Sequence, residues 1–84
     1  MQCRWHPDIA ALSFQPEQHS GRCFIHRRAF KTLLGVLPSA EDCQNYFMAR
    51  VAAFQVAAAA KIGRDLLDPV ANFHLNSRDI KRAL

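Results

Sequence analysis

Residues 39–62, SAEDCQNYFMARVAAFQVAAAAKI, carry the clearest helical pattern in the chain. Apolar residues recur here at steps of three and four, which places them along one side of a helix. The members of this apolar stripe are Cys43, Phe47, Val51, Phe54, Ala58 and Ile62. The alanines at residues 57–60 add the highest helix propensity. The segment therefore predicts one long helix over residues 40–62, roughly 35 Å long at 1.5 Å per residue.

The start of this helix is better defined by the sequence than its end. Ser39 and Asp42 have the spacing of a capping box, in which each side chain accepts from the other residue's backbone N–H. Glu41 and Asp42 also complement the positive end of the helix dipole. At the other end, Gly63 favours termination, although the apolar residues that follow would allow the helix to extend as far as Leu67.

The segment before the long helix predicts a hairpin and a short helix. Residues 9–14 and 22–26 alternate as strands do, and the polar residues 15–21 between them contain Pro16 and Gly21. The close spacing of the two strands favours an antiparallel pair. Residues 27–34 have apolar positions at helical spacing, and Gly35 is suited to a left-handed C-cap.

The segment after the long helix predicts a third strand and a final helical turn. Asp68-Pro69 breaks the helical pattern, and residues 70–75 follow as a strand. Asn76 or Ser77 can cap a last turn that contains Asp79. We therefore expect one α+β domain over residues 1–84. Its two layers are a small antiparallel sheet of about three strands, in the order β-β-α-α-β, and one long Ala-rich helix.

Composition limits the class of protein. The 84 residues are 50% hydrophobic, with a net charge of +4, and the sequence pI is about 9.4. Cys3, Cys23 and Cys43 are odd in number and widely spaced, which does not indicate a disulfide framework. The first residues lack the apolar core of a signal peptide, and no run approaches the roughly 18 apolar residues of a membrane span. We expect a soluble cytoplasmic protein with reduced thiols, and no membrane partner.

The order of several short motifs resembles a known family. These motifs are CFI at 23–25, AF at 29–30, LLG at 33–35, AAAKI at 58–62 and FHLNSRDI at 73–80. Together they resemble the small bacterial domain of unknown function family 1488, over roughly residues 12–80. The resemblance implies an α+β fold and brings no catalytic residues with it, because the family has no established activity.

One basic cluster is the strongest candidate binding site. Its members are Arg22, His26, Arg27, Arg28 and Lys31. Two phenylalanines, Phe24 and Phe30, lie among them, and basic residues with interleaved aromatics can hold single-stranded nucleic acid. The alternative interpretation places Phe30 in the core and leaves the charges as a solvated helix surface.

Three other groups of residues are weaker candidates. Cys3 and His6 form a Cys-x-x-His pair, and His19, Cys23 and His26 could supply further zinc ligands only if the hairpin brought them together. Cys43 stands in the first turn of the long helix, where a thiolate is favoured, but it belongs to the apolar stripe and is beside two acids.

His74, Ser77 and Asp79 have the residue types of a hydrolytic triad. They crowd into six consecutive positions, however, where capping explains Ser77 and Asp79 more simply. We therefore expect no enzyme, metal or cofactor. The expected function is a non-enzymatic binding or interaction module that forms a homodimer or binds another protein. The alternative is a nucleic-acid-associated regulator that uses the basic cluster.

Overall fold

The computed structural model describes residues 2–84, which fold into one sheet and a layer of helices. The strands are β1 (Cys3–His6), β2 (Ala11–Phe14), β3 (Cys23–His26) and β4 (Phe73–Leu75). The helices are α1 (Arg27–Leu34), α2 (Ala40–Met48), α3 (Val51–Asp65) and α4 (Ser77–Lys81). This arrangement confirms the α+β class with a small sheet packed on helices.

The sheet has four strands in the order β1-β2-β3-β4 and is mixed, where we expected about three antiparallel strands. The pairs β1–β2 and β2–β3 are antiparallel, as predicted for the second pair, but β4 runs parallel to β3. The parallel pairing arises because three helices connect β3 to β4 as a crossover. The extra strand, β1, turns Trp5 towards the helices and so contributes to the core.

The predicted long helix is wrong as a single element, because it breaks between α2 and α3. Arg50 has φ −137° and ψ 33°, outside the helical region, and Ala49 caps α2. A straight helix over residues 40–62 would be about 35 Å long, which exceeds the longest Cα dimension of the molecule, 32 Å. The break lets α2 pack on β1 and β2 while α3 packs on β4 and α4.

The apolar stripe nevertheless forms the centre of the core. Phe47 and Phe54 are fully buried, with ring centroids 5.0 Å apart, and both contact Phe14 of β2. Cys43 and Ala58 are also fully buried. Within residues 2–84, no helix combines the length and the apolar character that crossing a membrane requires.

The helix ends agree with the predicted caps. Ser39 and Asp42 form the capping box at the start of α2, and Asn76 and Asp79 form a second one at α4. Gly35 caps α1 with φ +80°. Helix α3 ends at Asp65, and Leu66 takes the left-handed conformation with φ 50°.

A tight backbone contact holds β4 beside β3. The N–H groups of Ser20 and Gly21 donate to the carbonyl of Pro69 at 2.8 and 3.2 Å. The ring of His19 hydrogen-bonds the carbonyl of Ala71 at 2.8 Å. A β-carbon added at Gly21 would lie 1.9 Å from that Ala71 oxygen, so only glycine allows this approach.

Candidate functional site

The two faces of the sheet have different roles. All four helices pack on one face, where they bury alternate strand residues in the core. The residues of that face are Leu12, Phe14, Cys23, Ile25, Phe73 and Leu75. Because side chains alternate along a strand, the remaining strand residues project from the opposite face, which we call the open face. Its residues are Arg4, His6, Ala11, Ser13, Phe24, His26 and His74.

The strand register arranges the open face in two rows across the sheet. One row passes through all four strands and the next, two residues along, passes through three of them. The first row is Arg4–Ser13–Phe24–His74, and the second is His6–Ala11–His26. Large side chains therefore surround two small central ones, and Ala11 and Ser13 have 0% exposure.

Four rings form a continuous array over this surface. The Phe24 ring lies between the rings of His6 and His74, with centroid distances of 5.2 and 5.6 Å. The His74 ring also stacks on His26 at 5.5 Å, with only 14° between the ring planes. We call His6, Phe24, His74 and His26 the ring array. It spans β1, β3 and β4 and offers flat ring surfaces near the solvent.

A hydrogen-bonded serine holds one arginine beside the ring array. Nε of Arg22 donates to the Ser13 hydroxyl at 2.9 Å, and Nε2 of His6 lies 2.7 Å from the same oxygen. The backbone N–H of Arg22 donates to Oδ1 of Asn72 at 2.8 Å. These bonds satisfy the buried hydroxyl and fix Arg22 on the open face.

The charge of the open face is positive. Arg4 and Arg22 supply this charge and lie on the face or at its edge. Within residues 2–84, no strand position is acidic; the acids lie in helices, turns and loops. A negatively charged ligand would therefore approach this face without repulsion from a neighbouring strand carboxylate.

The structure divides the predicted basic cluster between two places. Four members, His26, Arg27, Arg28 and Lys31, line one shallow depression of about 480 Å³ at the start of α1. Arg22 precedes β3, about 13 Å from His26 at 3.3 Å per residue, with Phe24 between them.

The two phenylalanines of the cluster also separate. Phe30 is fully buried in the core, whereas Phe24 lies in the ring array. The sequence interpretation missed Arg4, His6 and His74 as members of the open face. The available signal was their two-residue alternation, but it identifies a shared face only after the strand register is known.

The predicted zinc ligands do not share a face. Cys3 packs against the core while His6 belongs to the open face, and Cys23 and His26 are separated in the same way. His19 is buried in the loop before β3. Among residues 2–84, no group of three or more His, Cys, Asp or Glu side chains is placed to hold a metal ion.

The proposed nucleophile and triad residues have structural roles. Burial raises the pKa of Cys43 to about 11, against the nearby positive charge of Arg27, so the thiol is the stable form. Asp79 accepts from Lys61 at 3.2 Å and from Arg64 at 3.4 Å, while it also caps α4. His74 belongs to the ring array and is not paired with Asp79 as a triad would require.

A cleft of about 680 Å³ adjoins the open face between α1 and α4. It opens at the carboxyl ends of β3 and β4, the parallel pair. Its lining residues are His26, Arg28, Ala29, Thr32, Lys61, His74, Leu75, Asn76 and Ser77. We call it the α1–α4 cleft. Two rings of the ring array, His26 and His74, form its border with the open face.

The electrostatics of the α1–α4 cleft centre on His74. Nζ of Lys61 donates to the His74 carbonyl at 2.6 Å, which brings a cation close to the imidazole. Burial, and then the charges of His26 and Lys61, lower the pKa of His74 from its ordinary value. Each effect disfavours the charged ring, so the neutral form is favoured until an anion binds nearby.

Comparisons with known proteins identify no relative of this chain. No protein-family model, curated protein or solved structure matches the chain. The resemblance to family 1488 therefore stays a prediction. The function must be argued from the open face and the α1–α4 cleft.

Proposed function

We propose that this protein is a non-enzymatic binding module whose open face holds single-stranded nucleic acid. The observation that carries the proposal is the ring array, placed on a face that contains arginines and no strand carboxylate. This proposal combines the two functions expected from the sequence, a non-enzymatic binding module and a nucleic-acid-associated protein. It moves the centre of the site from α1 to the strands.

Stacking is the first contribution to such binding. Every base has a flat π-surface, and stacking on an aromatic side chain contributes about 1–3 kcal/mol per base. Phe24 has the central position in the ring array, where it can meet one base while His6 or His74 meets a neighbour. Single strands are favoured because the bases of a duplex are already stacked on one another and paired.

Charge is the second contribution. Arg4 and Arg22 can each neutralise one phosphate of a strand that crosses the ring array. For single strands, the logarithm of affinity falls with the logarithm of salt concentration with a slope of about −0.7 per phosphate contact. Two contacts give a slope of about −1.4, so affinity falls about sevenfold between 50 and 200 mM salt.

The positions of the reactive groups favour binding over catalysis. Cys23 and Cys43 are buried thiols whose pKa values are raised by burial. Asp79 is engaged with Lys61 and with the cap of α4. The open face itself offers rings, guanidinium groups and one buried hydroxyl, which are suited to stacking and ion pairing.

Fluorescence anisotropy with labelled 15-nucleotide DNA and RNA strands, and with a duplex of the same sequence, tests the proposal. We expect the single strands to bind more tightly than the duplex, with the salt dependence given above. Phe24→Leu keeps an apolar side chain but removes the ring, and should weaken binding about tenfold, equivalent to 1.4 kcal/mol.

A matched pair of arginine variants separates a local contact from net charge. Arg4→Ala removes a cation from the open face, while Arg50→Ala removes an exposed cation at the α2–α3 junction. We expect Arg4→Ala to reduce both the affinity and the salt slope, and Arg50→Ala to change neither by much. Binding that is absent at 50 mM salt, or equal losses in the two variants, would refute the proposal.

Self-association is a second proposal, favoured by apolar side chains at the depression at the start of α1, which His26 and Arg28 also line. The loop after α1 exposes Val36 and Leu37, at 66% and 60%, and Ile9 is exposed beside Leu37. We propose that a second copy of the chain covers these apolar side chains and forms the expected homodimer. Light scattering should show twice the monomer mass for the protein and the monomer mass for Leu37→Ser. A strictly monomeric mass at high concentration would exclude the dimer.

Location and family belong to the same set of proposals. All three cysteines are free, which is suited to the reducing cytoplasm that we propose for the protein. Membership of family 1488 is proposed on the motifs at residues 58–62 and 73–80. Neither proposal affects the argument for the open face.

A further inference from the structure

We propose that the α1–α4 cleft is a binding site for one nucleoside phosphate unit, with the base against His26 and His74 and the phosphate at Arg28. This inference rests on the proposed function, because the cleft continues from the open face and would receive the end of a bound strand. The same chemistry is shared by a free nucleotide and by the phosphorylated terminal nucleotide of a strand.

The size and place of the cleft fit such a ligand. Its volume of about 680 Å³ lies within the range of roughly 300–1,000 Å³ that is usual for small-molecule sites. An inorganic phosphate would leave most of it empty. The cleft opens at the carboxyl ends of β3 and β4, and the corresponding edge is the usual ligand position in sheets with parallel strands.

The histidine pair provides the surface for the base. The rings of His26 and His74 are both exposed and nearly parallel, at 14°, so they present flat π-surfaces at the border of the cleft. Phe24 also adjoins His74, with the two ring centroids 5.6 Å apart. A base placed on the pair would therefore be next to a base stacked on Phe24, which connects the cleft to the open face.

Cations on two helices can interact with the phosphate. Arg28 of α1 is exposed and lines the cleft, with the hydroxyl of Thr32 one helical turn further along. Lys61 of α3 lines the opposite side, but Asp79 of α4 partly neutralises it at 3.2 Å. Arg28 is therefore the principal phosphate ligand, because a guanidinium can donate two parallel hydrogen bonds to phosphate oxygens. Lys61 contributes to phosphate binding mainly through its electrostatic field.

Proton uptake by His74 would accompany binding. The charged and titratable groups around its imidazole are His26, Lys61, Arg28 and, beyond Lys61, Asp79. Burial and the first two of these groups lower the pKa of His74 in the free protein. A phosphate nearby introduces negative charge and raises that pKa again.

NMR titration of the full chain with AMP, adenosine and inorganic phosphate tests the cleft directly. We expect AMP to shift the resonances of His26, His74 and Thr32 and to bind at least fivefold more tightly than either fragment. Arg28→Ala should weaken AMP binding at least fivefold. Lys31→Ala, an exposed cation one turn along the same helix and outside the cleft, is the matched control and should have little effect.

Oligonucleotides with and without a terminal phosphate distinguish the two sources of the ligand, the end of a bound strand and a free nucleotide. If a strand end occupies the cleft, a 5′- or 3′-phosphate should strengthen oligonucleotide binding, and Arg28→Ala should remove that gain. If a free nucleotide is the ligand, AMP should bind in an Arg28-dependent way while the terminal phosphate adds nothing. Both results support the site.

Other outcomes overturn the cleft site. Unchanged resonances at 10 mM AMP, equal binding of AMP and inorganic phosphate, or equal effects of Arg28→Ala and Lys31→Ala would each exclude it. In these cases, binding of single-stranded nucleic acid that depends on Phe24 would still support the function proposed for the open face. Conversely, Arg28-dependent AMP binding without any binding of oligonucleotides would support the nucleotide site in the cleft and refute the function proposed for the open face.

Discussion

Replacing Asp79 by Asn removes one negative charge from the contact between α3 and α4. The carboxylate has only 6% exposure and accepts from Nζ of Lys61 at 3.2 Å and from Nη2 of Arg64 at 3.4 Å. The backbone N–H of Asn76 also donates to it at 3.0 Å, which completes the capping box of α4. The Asn side-chain oxygen can take the place of Oδ2 and still accept from both Asn76 and Lys61, so the substitution removes the charge and keeps these two hydrogen bonds.

The expected loss of stability follows from these contacts. With an amide in place of the carboxylate, the 21%-exposed ammonium of Lys61 has no counter-charge, and leaving a partly buried charged group unpaired costs about 1–3 kcal/mol. Arg64 is 48% exposed, so solvent screening leaves it only a few tenths of a kcal/mol. We expect Asp79→Asn to lower the free energy of unfolding by about 2 kcal/mol at pH 7. With a urea m-value of about 1.3 kcal/mol/M, the midpoint falls by about 1.5 M.

The pH dependence of the difference identifies its cause. Burial raises the pKa of Asp79, but the Asn76 N–H and the Lys61 and Arg64 cations together outweigh burial and lower it. A carboxylate with a lowered pKa stabilises the fold above its unfolded pKa of about 3.9, and this contribution is lost as the pH falls through the folded pKa. The difference between wild type and Asp79→Asn should be constant from pH 7 to about 5 and shrink below about pH 4.

Urea unfolding followed by circular dichroism at several pH values measures this difference. Asp42→Asn is the matched control, because Asp42 has the same position in the capping box of α2 but is exposed. It should lower the midpoint less than Asp79→Asn does. An Asp79→Asn midpoint equal to that of wild type at pH 7, or a difference that persists at pH 2.5, would refute the reasoning.

Two further predictions concern packing and thiol access. Gly21→Ala should destabilise the fold by about 3 kcal/mol or more, since its β-carbon would collide with the Ala71 carbonyl. Gly63→Ala, in an open position of α3, should instead stabilise it by about 0.5–1 kcal/mol; thermal unfolding that ranks the two variants otherwise would contradict this packing. A thiol reagent at pH 8 should label half-buried Cys3 before the two buried thiols, which should react only on unfolding. Rapid labelling of all three in the native state would show that the core is open.

Local signals predicted local structure well. The capping box of Ser39 and Asp42, the glycine cap at Gly35 and the buried stripe through Phe47 and Phe54 depend on residues within a few positions of one another. The caps are decided by neighbours in sequence, and the stripe is recognised by its helical period even though Phe47 and Phe54 pack on the distant Phe14.

Features set by distant contacts were not predictable in this way. The break at Arg50 is not at a proline or glycine; it lets α2 and α3 fit within a molecule whose longest Cα dimension is 32 Å. The parallel placement of β4 depends on the contact between Gly21 and Ala71, which joins two distant loops. The ring array, in turn, requires the register of all three strand pairs.

The ring array joins side chains that most of the sequence separates, His6 of β1 and His74 of β4. Such a surface exists only when the whole sheet has assembled, so the binding of single-stranded nucleic acid that we propose would be coupled to complete folding. A ligand that binds only the folded chain stabilises it by about 2.7 kcal/mol at one hundred times its Kd. For a domain of this size, that is a substantial part of the total stability. Bound single-stranded nucleic acid would therefore protect the protein from proteolysis at sites remote from the open face, including the segment of three helices that connects β3 to β4.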